Sequence, residues 1–140
     1  MITKPNLVYA ISYIKQGIEI KHVNDLKDID TICFYTNFLD DINDGILVYY
    51  DIHRKLFTDD GYVSFQYETH GLKLNDYQKI IRQLSNNTTL QYDKDSDELV
   101  MPSSSETYLN DFADYLQDII NAFAILKLKS INQKKALAHN

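Results

Sequence analysis

The last third of the chain carries an apolar stripe that narrows the choice of folds. Tyr108, Phe112, Tyr115, Ile119, Phe123 and Leu126 recur at the spacing that lines one side of an α-helix. A helix with so aromatic a stripe has to lay it on another apolar surface. The segments ahead of it offer one, because they alternate apolar and polar residues as half-buried strands do. "IEIKHV" (18–23) and "TICFYTNF" (31–38) read as paired strands, and "GILVYYD" (45–51) and "RKLFTD" (54–59) as a hairpin with Ile52 and His53 at its tip. "TTLQYD" and "ELVMPS" flank the acidic turn "DKDSD" and read as another hairpin. The expected fold is α+β: an antiparallel sheet of hairpins, about four to six strands, packed against an N-terminal helix and a long C-terminal helix.

The remaining helices follow from cap and stop signals. Thr3 and Pro5 suit the start of a helix carrying Leu7, Ile11 and Ile14, which should end at Gly17. "YVSFQYET" (62–69) reads as a short helix stopped at His70-Gly71, with Asp59 or Asp60 as its cap. "NDYQKIIRQLSNN" reads as an amphipathic helix capped by Asn75, with Tyr77, Ile80, Ile81 and Leu84 inward. Ser105 or Thr107 should open the long terminal helix.

A chain of 140 residues suits one core, so residues 1–128 are expected to form a single domain. Residues 129–140 are expected to be a basic, frayed C-terminal tail. The N-terminus lacks the basic-apolar-small pattern of a signal peptide, no apolar run is long enough to span a bilayer, and the expected location is the cytoplasm. The net charge of −6 disfavours direct binding to nucleic-acid phosphates and favours a protein partner with a basic surface. Eleven tyrosines and no tryptophan fit two readings equally: surfaces that are half apolar and half hydrogen-bonding, as interfaces are, or, with the abundant Asn, Ile and Lys and the scarce Gly and Pro, the composition of an AT-rich genome. The single cysteine, Cys33, sits in an apolar run and reads as a buried small hydrophobe.

Carboxylates gather at two places. With His53 at the hairpin tip, Gly45 and Ile46 should face Asp60 and Gly61, bringing Asp44 and Asp60 to one open end that Asp40 and Asp41 also approach. Asp40, Asp44, Asp59 and Asp60, with Tyr62 beside them, form a candidate acidic site, because Mg²⁺ needs only one or two carboxylates plus water and phosphate oxygens. Asp and Asn are also the ordinary residues of strand-ending turns and helix caps, and turn-and-cap is the leading reading. No ExK pattern follows the acidic pair to set beside its acids the lysine that a nuclease-type site normally adds. The second gathering is Asp111, Asp114 and Asp118 on the side of the long helix away from its stripe, a candidate partner-binding face. The histidines lack metal-ligand spacing, and Ser103–Ser105 lack a nucleophile elbow.

The pieces "TNFLDDIND" (36–44), "ILVYY" (46–50), "LFTDDGYV" (56–63) and "FQYETHG" (65–71) occur in an order that resembles a small family of bacterial and phage proteins of unknown function. That family's pattern runs "TPFLDRHND", a strand, "LTDDGYT" and "DLE..G", and the likeness extends over about residues 5–126. Its signature falls on Phe38, Leu39, Asp40, Asp44, Thr58, Asp59, Asp60, Gly61 and Tyr62, with Asn37 standing where the family has proline. The resemblance implies the fold and a setting in prophages or mobile elements, without an activity.

Three functions are therefore expected in order. The first is a noncatalytic protein-binding module without cofactor that acts on a host defence or nucleic-acid-handling protein. The second is a Mg²⁺-dependent phosphoesterase or nuclease built on Asp44, Asp59 and Asp60, and the third a structural homodimer.

Overall fold

The computed structural model describes residues 19–24, 30–40, 44–85, 89–104, 106 and 108–138. Six strands form one antiparallel sheet in the order β1-β2-β3-β4-β6-β5. They are β1 (Glu19–Asn24), β2 (Asp30–Leu39), β3 (Gly45–Asp51), β4 (Leu56–Thr58), β5 (Gln91–Asp93) and β6 (Glu98–Pro102). Between β4 and β5 run helix α1 (Tyr62–Thr69), a 3-10 turn (Leu74–Asp76) and helix α2 (Gln78–Leu84). Helix α3 (Tyr108–Ala138) closes the chain. The fold is α+β with a long C-terminal helix; the N-terminal helix expected before Gly17 lies outside the described residues.

Strand pairing aligns one apolar face. Phe34 faces Val48, Tyr50 faces Phe57, and Phe57 faces Met101, so the inward residues of four strands form a single apolar surface. The stripe of α3 lies on it: Phe112 stacks on Phe34 at 4.3 Å between ring centroids, Tyr115 on Phe57 at 5.4 Å, and Tyr108 meets Tyr50 at 4.7 Å. All six residues of that stripe are buried, as the spacing predicts.

Much of the tyrosine content is core rather than interface. Tyr50, Tyr67, Tyr108 and Tyr115 are among the largest fully buried side chains. Three of these hydroxyls donate to backbone carbonyls: Tyr50 to Ser103 at 2.7 Å, Tyr67 to Ala122 at 2.7 Å and Tyr115 to Leu99 at 2.5 Å. A phenol satisfies its polar atom in this way while burying its ring. Burial pushes the Tyr50 and Tyr108 phenols up to about 12.

Two local expectations are corrected. Asn75 does not cap α2; its Oδ1 accepts from the Gln78 side chain at 2.7 Å, and Tyr77 precedes the helix without a side-chain cap. Of the residues expected inward on α2, Ile81 is buried, Tyr77 is partly buried, and Ile80 and Leu84 are exposed, so this two-turn helix docks along the line of Tyr77 and Ile81. The basic segment after residue 128 continues α3 as far as Ala138. Among the described residues, no helix is long and apolar enough to cross a membrane.

Candidate functional site

The turn Thr58-Asp59-Asp60-Gly61 gives its two aspartates opposite roles. Asp59 is 1% exposed and its carboxylate accepts three backbone N–H groups. Oδ1 takes those of Gly61 and Leu99, each at 3.0 Å, and Oδ2 takes that of Val63 at 2.9 Å. Asp59 therefore caps the start of α1 and ties it to β6, satisfying donors that the helix itself leaves open. Burial pushes its acid up to about 6, against the lowering effect of the hydrogen bonds from Val63, Gly61 and Leu99.

Asp60 is exposed, and its side chain makes no hydrogen bond among the described residues. Its backbone sits at φ 57° and is followed by Gly61 at φ 77°, two left-handed positions that swing the chain from strand into helix. The Asp60 amide donates to the Thr58 hydroxyl at 3.0 Å, and that hydroxyl donates to the Glu98 carboxylate. Gly61 occupies the N-cap position itself. The expectation of a cap thus holds for Asp59 and fails for Asp60.

Asp40 and Tyr62 form the second fixed pair. Tyr62 donates its hydroxyl to Asp40 Oδ2 at 2.6 Å, and the Asp44 amide donates to Asp40 Oδ1 at 2.9 Å. The Asp40 amide in turn donates to the Asp44 carbonyl at 2.8 Å. Asp40 is buried and closes the β2–β3 turn, while Asp44 is exposed. Asp41 lies outside the described residues.

Asp44, Asp59, Asp60 and Tyr62 all line one pocket of about 610 Å³. The expected convergence is present, but it has a different cause. The β3–β4 ladder pairs Tyr49 with Thr58 and ends there, one step away from the register that would set Gly45 and Ile46 against Asp60 and Gly61. The four residues between Asp51 and Leu56, with Lys55 at φ 54°, fix that register. Asp60 reaches the pocket through the left-handed turn instead.

The walls were not legible as a site in the sequence. Leu47 and Tyr49 alternate with the core residues Ile46, Val48 and Tyr50 of β3, and so face the other side of the sheet. Phe65 of α1 is 58% exposed, the most exposed aromatic of the pocket. The ring of Tyr62 packs 5.9 Å from Phe123. Burial pushes the Tyr49 phenol up, and the nearby Asp60 carboxylate adds to it. Among the described residues no Lys, Arg or His lines the pocket.

Next to it, on the same face as Thr58, lies an ion-pair network. Arg54 binds Glu98 through two bonds at 3.2 and 3.1 Å and Asp51 through Nε at 2.7 Å. Both carboxylates are buried, and the Arg54 guanidinium is half-exposed. The hydrogen bonds from Arg54 and Thr58 hold the Glu98 acid down against the opposing effect of burial. This triad braces β3, β4 and β6 and was missed because its members are far apart in sequence.

The face Asp111, Asp114 and Asp118 is not an open acidic surface. Asp118 is 1% exposed, and burial pushes its acid up to about 6. Asp111 accepts the Ser103 hydroxyl at 2.6 Å, which leaves Asp114 as a partly exposed carboxylate. The helix packs against α2 as well as laying its stripe on the sheet, and Ser85 at the end of α2 lies beside Asp118.

Among the described residues, no group of three or more His, Cys, Asp or Glu is placed to hold a metal ion. Within the pocket, both oxygens of Asp59 are engaged by backbone N–H groups, and Asp44 and Asp60 are the carboxylates with capacity for a ligand. Comparison with family models, curated proteins and solved structures returns no match.

Proposed function

We propose that the protein is a noncatalytic protein-binding module whose docking point is the pocket beside the Asp59-Asp60 turn. One observation carries this reading: Asp44 and Asp60, two exposed residues whose carboxylates make no hydrogen bond or ion pair among the described residues, share a pocket with the exposed ring of Phe65. Groups that the fold does not use, gathered around an apolar wall, suit a partner's side chain. The resemblance of residues 36–71 to the bacterial and phage family extends the proposal to a prophage or mobile-element protein acting on a host defence or nucleic-acid-handling protein. Such partners carry basic surfaces, which an acidic pocket complements.

Capture from bacterial lysate, followed by reconstitution with the purified partner, tests this. The wild-type protein is expected to form a binary complex that the Asp44→Asn/Asp60→Asn double variant weakens. A complex insensitive to that variant would remove the pocket from the interface. The second reading, a metal-dependent phosphoesterase, draws on the same two carboxylates. Mn²⁺-dependent phosphoester cleavage lost in Asp60→Asn would replace the first reading with the second.

A further inference from the structure

We infer that the group this pocket receives is the guanidinium of an arginine side chain, an inference that rests on the protein-binding reading above. Three features of the pocket specify it. Its charge is one-sided: Asp44 and Asp60 are exposed, and no cationic residue among those described lines it. Its walls are apolar and aromatic, formed by Leu47, Tyr49 and Phe65. Its frame is fixed, because Tyr62 is tied to Asp40 at 2.6 Å and Asp59 to three amides.

A neutral apolar ligand would leave the two carboxylates to be desolvated without compensation, which is unfavourable. A cation removes that cost. Arginine suits the site better than lysine, because its planar group stacks on an aromatic face while its donors reach carboxylates in the same plane. An ammonium is a compact, strongly hydrated charge and gains less from an aromatic wall. The volume of about 610 Å³ also leaves room for parts of the neighbouring residues.

Among the described residues neither carboxylate is bonded to the fold, which makes the inference testable without unfolding the protein. Asn tolerates the left-handed backbone of Asp60. The Asp44 turn is held by its backbone groups and the Asp40 side chain. Asp44→Asn and Asp60→Asn therefore remove charge and leave geometry.

The experiment is an NMR titration of the ¹⁵N-labelled full-length protein with the blocked tripeptide Gly-Arg-Gly, beside its citrulline and lysine counterparts. The arginine peptide is expected to shift the amides of Gly45, Leu47, Tyr49, Gly61 and Phe65 in a saturable way. The citrulline peptide should bind about tenfold or more weakly, a change of one charge-assisted contact. Each Asn variant should keep a native spectrum and lose affinity, and added salt should weaken the wild-type complex. Lysine binding as tightly as arginine, shifts outside the pocket, or Asn variants with wild-type affinity would each overturn the inference. If a partner complex still depends on Asp44 and Asp60 while the arginine peptide fails to bind, the inference falls and the docking site stands. If neither depends on them, both fall.

Discussion

The Asp59 carboxylate accepts the backbone N–H of Leu99 at 3.0 Å across 40 residues of sequence. The same group caps α1 through Val63 and closes the turn through Gly61, so a single side chain joins the end of β4, the start of α1 and the start of β6. Asp59→Asn puts an amide donor among three N–H donors, of which an amide oxygen can serve only some. We expect a loss of about 1–3 kcal/mol in chemical denaturation, with no new activity gained or lost beyond that of the less stable fold.

Arg54 neutralises two buried carboxylates, Asp51 and Glu98. Arg54→Ala leaves both without their cation. Because the guanidinium is half-exposed, the expected loss is about 2 kcal/mol, below that of a fully buried pair. Removing Glu98 at the same time should restore part of it. A double-mutant cycle in urea checks this coupling.

The acids also set a pH dependence. Asp59 and Asp118 have folded values raised to about 6, above their unfolded values, so the folded state holds the proton more tightly. Their contribution is fully present below the unfolded value near 4 and is lost as pH rises through 6. Glu98 acts in the opposite sense: its lowered acid contributes above the unfolded value and is lost as pH falls through the folded one. Denaturation midpoints should therefore rise on going from pH 8 to about 5 and fall again in stronger acid. Asp59→Asn should flatten the neutral side of this profile.

Consecutive left-handed residues at Asp60 and Gly61 predict contrasting substitutions. Gly61→Ala places a Cβ at φ 77° and should cost about 1 kcal/mol. Asp60→Gly relieves the same conformation at φ 57° and should be neutral or stabilising by a few tenths of a kcal/mol, about the difference between strain relief and added unfolded-state entropy. Thermal unfolding of the two variants reads the turn role by itself, and of the two positions Asp60 is the one that brings a charged side chain to the pocket.

Periodicity made the sheet and the long helix legible. The alternation of "GILVYYD" matches β3 residue for residue, and "YVSFQYET" matches α1, because short local patterns there agree with what tertiary packing requires. The helix of Gln78–Leu84 was less legible, since Ile80 and Leu84 look inward by spacing but are exposed on a two-turn element. Asp118 shows the opposite failure. Polarity put it on the outer side of α3, yet it is buried with Ser85 at the end of α2 beside it, a long-range contact that no window of the helix sequence contains.

The candidate site was half legible. Asp and Gly next to a strand announce a turn and a convergence of acids. Which acid holds the fold and which faces the pocket depends on backbone dihedrals at two residues and on the amide of Leu99, and neither is encoded locally. The aromatic wall was hidden because Tyr49 and Leu47 read as ordinary strand residues until the core claimed their neighbours.

The most direct test of the central claim is the affinity of Asp60→Asn for the arginine tripeptide, read from the same NMR titration as the wild-type protein. A native spectrum with binding weakened about tenfold is the predicted result. A native spectrum with wild-type affinity would contradict the claim that Asp60 serves the pocket and Asp59 the fold.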